Sequence, residues 1–477
     1  MTSTTLPAEV IGEATVGELQ GSLRGQVILP TDSGYDQARA VWNGAHDKHP
    51  ALVIRCAGTA DVMKAVEFAR SQGLLVAVRG GGHSIAGFSS SDGGVVIDLS
   101  DMNTVTVDPQ HRRATAQGGA TWADFDNETQ AFGLAVTGGL VSTTGIGGFT
   151  LGGGIGWLLR RHGLTCDSLV AADVVTADGR LVHASAEENP DLFWALRGGG
   201  GNFGVVTSME FALYPVGPTV LGGLMFYPGD AAQQVVAGWR DLTASMPDEL
   251  TTLVNLTTAP PVPFLPESVH GKPIVAVGAV HCGPLDSAED AVRPLRTLAE
   301  PILDHIGPVP YVAMQQALDP LWTAGAHNYF TSAMLDGLPD TAIGELLSRW
   351  SAKPTPQCEL HVHHAGGAMA RVPQSGTAFS QRQSPYLLNV IARSPDGTGF
   401  GGHKTWARDA RAALSAYGSG AMYVNFTGDG GEDKVRASYP AETYAKLVAV
   451  KDRYDPTNVF RLNQNIPPSG WAGSRAG

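Results

Sequence analysis

The sequence predicts an α+β protein of two domains, the second inserted into the first, and three observations carry that reading. Its 477 residues exceed what one hydrophobic core usually serves. Short alternating strand and helix patterns fill residues 1–217 and are broken by glycine blocks. Residues 218–436 change to longer strand-like runs and long helices, and residues 437–477 return to the first style.

Residues 1–45 read as an entry segment with a helix over 36–43. An apolar run at 51–55 predicts a short buried strand, 59–72 an amphipathic helix and 75–78 a second strand. Strands follow at 94–98, 105–107 and 114–117, then a helix over 121–132 with Trp122 and Phe125 on one face. A helix over 157–161 precedes strands at 169–176 and 181–184, split by an Ala-Asp-Gly turn. A helix over 190–196 and a strand over 205–213 close the first unit. In the second, 273–280 and 387–392 read as strands, and 231–246 and 341–351 as helices. The Pro, Gly and Ser residues at the end read as a mobile tail.

Composition excludes several classes of function. The net charge of −13, with no basic stripe, argues against nucleic acid or an anionic membrane as partner. Cys56, Cys166, Cys282 and Cys358 lie far apart, which fits neither a disulfide framework nor a zinc site. The first residues lack the pattern of a signal peptide, and no run of 18 apolar residues occurs. Asn127, Asn255 and Asn425 each begin an N-x-T sequon, read as chance matches in a cytoplasmic protein.

Sixty residues are glycine, roughly 13% against a usual share of about 7%, and many are bunched. The first block, Arg79-Gly80-Gly81-Gly82-His83-Ser84, follows a predicted strand. Consecutive glycines there let backbone N–H groups converge on a pyrophosphate, with Arg79 adding charge and Ser84 a hydroxyl. The second block runs over 138–156 and the third over 197–204. The third matches G-x-G-x-x-G, but a helix precedes it and a strand follows, the reverse of a dinucleotide fingerprint. Spacing alone reaches a multi-glycine anion or nucleotide cradle.

These blocks, with the stretches at 141–148, 151–158, 196–207 and 454–465, resemble flavoproteins of the vanillyl-alcohol oxidase type. Within these, the resemblance is to the branch of berberine bridge enzyme and 6-hydroxynicotine oxidase, over almost the whole chain. It implies a PCMH-type FAD-binding domain of two subdomains, its core over about 46–217, completed by a berberine-bridge-like segment at 437–477. An inserted substrate domain at 218–436 then presents an antiparallel sheet over the flavin, with helices behind.

The resemblance implies FAD bonded through its 8α-methyl to His83. Some members add a cysteine link, which aligns with Val141 here, so a single link is expected; Cys166 reads as a buried structural thiol. Thr144 falls where the family controls dioxygen access, and Phe149 replaces a histidine of plant members. Further expected flavin contacts are Ser142, Gly147, Gly148, Gly153, Gly204, Val206, Asn463 and Asn465, with Tyr454 packing nearby. The implied activity is two-electron oxidation of a small natural-product alcohol, amine or activated C–H, with O2 as acceptor and H2O2 as product. Carbohydrate oxidation, flavin oxygenation and a non-catalytic flavin carrier are the alternatives.

In related enzymes a Tyr-x-Asn-Tyr strand supplies a base or orienter. Here it reads Tyr423-Val-Asn425-Phe426, so another group must act if the last position normally carries the base. Candidates lie on a predicted strand over 357–365, where alternation points Glu359, His361 and His363 one way and Leu360, Val362 and His364 the other. A carboxylate and two imidazoles on one face suit a polar cavity, a solvated face or, less readily, a metal. Tyr386 and Tyr329 are further candidates for the pocket.

Overall fold

The computed structural model describes residues 12–429 and 431–471. The start of the entry segment and the end of the C-terminal tail lie outside the described residues. The first glycine block is positioned by a four-stranded sheet. Its strands lie in the order Gln26–Ile28, Leu52–Arg55, Val95–Asp98, Val76–Arg79, and the last three are parallel. The helix Thr59–Ser71 crosses over it, burying Val62, Ala65, Val66 and Ala69, which recur at helical spacing. A second sheet of five antiparallel strands carries Val205–Ala212 at its centre, between Arg113–Gln117 and Leu169–Val175.

All eight strands of the third sheet lie between Thr219 and Ser394, and the pairings within it are antiparallel. One face is covered by the helices Ala232–Thr243, Asp340–Ser351 and Phe400–Leu414. Their Trp239, Leu346 and Leu414 share a core with Leu360, Val362, Leu388 and Val390 of the strands. Each such apolar side chain removed from water contributes about 1.5–3 kcal/mol. The opposite face is turned toward the glycine loops.

The predicted helix over 36–43 is shorter, Tyr35–Arg39, and that over 157–161 is displaced to Leu159–His162. A helix absent from the sequence reading, Ile146–Leu151, forms inside the second glycine block. Its glycines carry little helix propensity, so burial of Ile146, Thr150 and Leu151 must hold it. The third block has the helix Pro190–Leu196 before it and the strand Val205–Ala212 after it, which rules out the dinucleotide fingerprint. Among the described residues no helix is long and apolar enough to cross a membrane.

Candidate functional site

A cavity of about 360 Å³ lies between the glycine loops and the uncovered face of the eight-stranded sheet. The strand Val76–Arg79 leads directly into Gly80, Gly81, Gly82, His83 and Ser84, and all five line it. The first two glycine blocks touch backbone to backbone. A Cβ on Gly81 would sit 2.4 Å from the amide nitrogen of Gly145, so any side chain would force the loops apart. Arg79 corrects the sequence reading. Its guanidinium turns back to donate to Asp98 at 2.7 and 3.2 Å and to Ala40 O at 3.2 Å, and does not line the cavity. Burial raises the Asp98 carboxyl, but the bonds from Arg79 and Arg55 outweigh it and hold it low.

His83 stacks on Trp42 with ring centroids 4.8 Å apart. The Thr143 hydroxyl lies 3.1 Å from its Nε2 and the Thr144 hydroxyl 3.5 Å from its Nδ1. Burial pushes its pKa down to about 4, so at neutral pH the imidazole keeps a lone pair available for bonding. Val141, Thr144, Gly147 and Gly148 line the cavity beside it, as do Gly204 and Val206 of the third block. Asn463 and Gln464 approach from the C-terminal segment.

Four expected flavin contacts, Ser142, Gly153, Tyr454 and Asn465, do not line the cavity. Ser142 donates its backbone N–H and its hydroxyl to Asp319 at 2.8 and 2.6 Å. Gly153 is capped by Phe379 and Tyr423. Tyr454 donates its hydroxyl to Asn189 and Asp191, both at 3.1 Å. Asn465 does not line the cavity, although its Oδ1 is buried without a partner. Cys166 is fully buried, and burial pushes its thiol pKa well up.

Two observations fit the cavity to a flat, extended cofactor pressed on backbone. A Cβ on Gly148 or Gly201 would meet no protein atom within 4 Å, and neither has a positive φ. The protein itself gives no reason for glycine at either place, whereas a group lying against them does. The second is Oδ1 of Asn463, buried without a partner among the described residues although its Nδ2 donates to Gly201 O and Phe460 O. A buried acceptor is seldom left unsatisfied.

On the sheet side, His361 and His363 line the cavity, and Glu359 stands behind His361. Glu359 Oε2 is 2.7 Å from His361 Nε2, and its carboxylate accepts from Asn255 Nδ2 and Thr257 Oγ1, both at 3.0 Å. Burial works to raise the Glu359 pKa, but the His361 bond and then the Asn255 and Thr257 bonds hold it below the usual value. His363 is pushed down to about 3, by burial first and then by His361, and its Nε2 is buried without a partner.

Two tyrosines are not brought to the cavity. Tyr386 pairs in register with His364 on the helix-covered face, where its hydroxyl lies 2.6 Å from that of Thr243. Tyr329 donates to Asp429 at 2.6 Å from that same face. Tyr423 lies beneath the cavity wall. Its hydroxyl accepts from Gly154 N at 2.9 Å and from Asn425 Nδ2 at 2.8 Å, while Asn425 and Phe426 line the cavity. Among the described residues no cluster of three or more His, Cys, Asp or Glu side chains is arranged to hold a metal ion.

The sequence reading missed Trp42, Trp322, Phe330, Asn389 and Ile391, which also line the cavity. Only strand alternation could have found the last two. The loop carrying Trp322 is fastened over the site by the N-terminal segment. Trp42 Nε1 donates to Trp322 O at 3.1 Å, and Gly325 N to Trp42 O at 3.0 Å.

Residues 50–185 match a family model described as FAD binding domain, and 422–467 one described as berberine and berberine like. The chain is 33% identical to an (R)-6-hydroxynicotine oxidase of Paenarthrobacter nicotinovorans over 94% of its own length and 98% of the relative's. It is 29% identical to a xylooligosaccharide oxidase of Thermothelomyces thermophilus over 88% of each chain. The crystal structure of 6-hydroxy-D-nicotine oxidase from Arthrobacter nicotinovorans superposes with a TM-score of 0.84, at 31% identity over 93% of this chain and 98% of that one. The fold is shared with a glucooligosaccharide oxidase of Acremonium strictum described with a 6-S-cysteinyl, 8α-N1-histidyl FAD. Its TM-score is 0.82 at 23% identity, over 95% of this chain and 99% of that one.

Proposed function

The chain belongs to the FAD-linked oxidoreductases of the berberine bridge enzyme and 6-hydroxynicotine oxidase type, and from that premise we propose that it is an oxidase of a small natural-product alcohol, amine or activated C–H with FAD bonded to His83. The observation that carries this reading is a half-buried, neutral imidazole at the wall of a cavity in which Gly148 and Gly201 have no reason within the protein. Bound FAD would supply the two-electron acceptor, with O2 as the oxidant that restores it.

The chain's own groups orient and seal. Trp42 and the two threonine hydroxyls fix the His83 ring, and Gly148 and Gly201 admit the cofactor to the backbone. Asn463 Oδ1 is a free acceptor for an N–H donor of the ring. Val141 cannot form a second bond, which supports a single link. The small Thr144 side chain, beside His83 on the cavity wall, supports the choice of dioxygen as acceptor. Across the cavity the sheet offers two imidazoles and Asn389 among aromatic walls. That is few donors for a run of sugar hydroxyls, which favours a compact, partly apolar substrate over an oligosaccharide.

The test is anaerobic mixing of purified protein with alcohols and amines of ring size, followed by air. Bleaching of the flavin absorbance by at least one donor, then recovery with one H2O2 per turnover, is the expected result. Bleaching that air does not reverse would refute the oxidase reading. No bleaching by any donor would favour a non-catalytic flavin carrier.

A further inference from the structure

Resting on the oxidase reading above, we infer that Glu359 and His361 form a proton-accepting pair, and that His361 Nδ1 takes the hydroxyl proton of a largely apolar, ring-bearing alcohol. Glu359 is the positioning residue, because it touches His361 and not the cavity.

The geometry determines which nitrogen is free. Nε2 of His361 lies 2.7 Å from a carboxylate oxygen, and a carboxylate accepts only, so Nε2 carries the proton. Nδ1 is then a bare acceptor, and among the described residues it has no protein partner. Asn255 and Thr257 hold the carboxylate from the neighbouring strand, so the pair cannot swing away to water. A carboxylate behind an imidazole fixes its tautomer and its ring orientation.

His363 does not share this role. Among the described residues it has no carboxylate partner, it packs on Phe426 at 5.8 Å between ring centroids, and its unpartnered Nε2 is buried. Other charged groups near the pair are few. Lys353 and Arg393 stand near Glu359, and His363 lies beside His361 at 6.2 Å between centroids.

The substrate class follows from the walls. The apolar lining of the cavity includes Leu140, Leu318, Phe330 and Ile391, with Trp322 beside His361 and Phe426 beside His363. Trp322 meets His361 edge-on at 6.4 Å, and Phe330 meets Phe426 edge-on at 6.2 Å. A ring fits such walls with little polar surface left unsatisfied. Asn389 sits in register with His361 and keeps a buried, unpartnered Oδ1, a second acceptor for the same end of the substrate.

In the reaction, the substrate O–H bond breaks and its proton goes to His361 Nδ1. The hydrogen on the carbinol carbon would leave with its electron pair for bound FAD as C–O becomes C=O. Dioxygen would take the two electrons and, with the two protons, become H2O2.

The experiment uses the flavin-loaded protein and 4-nitrophenol, a ring-bearing hydroxyl compound whose ionised form absorbs at longer wavelength than its neutral form. Difference spectra give the pH at which the bound probe ionises. Wild type is expected to bind it ionised at a pH where the free probe is neutral. The Glu359 carboxylate lies beside the positive charge that the probe's proton would bring to the pair, so Glu359→Gln should move the probe's midpoint up by about one pH unit, a tenfold loss of bound anion. His361→Gln should abolish the shift, and His363→Gln should leave it in place. An unchanged midpoint in Glu359→Gln, or the same loss in His363→Gln, would overturn the pair. Failure of the probe to bind at all would overturn the substrate class. Dithionite reduction followed by air, run on the same samples, reports the oxidase reading separately, because it needs no substrate.

Discussion

Replacing Gly148 with alanine separates what the protein alone wants from what its cofactor requires. Gly148 is the third residue of the helix Ile146–Leu151, has no positive φ and would meet no protein atom with a new Cβ. For the protein without flavin, alanine is therefore the better residue, by about 0.5–1 kcal/mol in a helix interior. With flavin the sign reverses. Gly148 lines the cavity beside His83, so the methyl group intrudes on whatever lies against the backbone, and overpacking of that kind costs about 1–3 kcal/mol. The net loss of flavin affinity is then on the order of tenfold or more. Protein from riboflavin-limited and riboflavin-replete cultures, compared by thermal melting and by flavin-to-protein absorbance ratio, reads both signs. The expected result is a higher Tm for flavin-poor Gly148→Ala and a lower flavin content in the replete sample. A variant with a raised Tm and full flavin content would refute the placement of the cofactor on this wall.

Two stability predictions follow from buried groups away from the chemistry. Asp126 is pushed up to about 7 by burial, against a bond from Gln315 that lowers it; with its folded pKa above its unfolded value near 3.8, stability falls as pH rises between them and levels off above 7. Asp126→Asn should therefore stabilise the protein by an amount that grows from pH 4 to pH 7, reaching roughly 4 kcal/mol at about 1.4 kcal/mol per pH unit, as urea unfolding at pH 5 and 8 would read; an equal effect at both pH values would contradict it. His364 is pushed down to about 3, by burial first and then by Arg160, whose Nη1 donates to its Nε2 at 2.9 Å. With the folded pKa below the unfolded value of 6.5, stability is lost as pH falls below the latter, so His364→Gln should flatten the acid limb by about 1.4 kcal/mol per pH unit between pH 6 and 4.

The sequence made some of the site legible and hid the rest for identifiable reasons. Glycine runs followed by His83 are visible because backbone that must approach backbone, as Gly81 does Gly145, tolerates no other residue. The pairing of Glu359, His361 and His363 on one face follows from alternation alone. Tyr386 was misplaced because alternation is known only within a strand, and the register that sets it beside His364 belongs to the sheet. Arg79 and Tyr454 were misread because each is captured by a carboxylate on another element, Asp98 and Asp191. Nothing local in their motifs announces that partner. The helix Ile146–Leu151 was hidden because its stability comes from packing, against the propensity of its glycines.

The bond between His83 and FAD is the central claim, and acid precipitation of wild type and His83→Ala tests it most directly. The account predicts a yellow, washed wild-type pellet, and a colourless His83→Ala pellet with any flavin left in the supernatant. Flavin released equally from both proteins, or an equally yellow pellet from each, would contradict it.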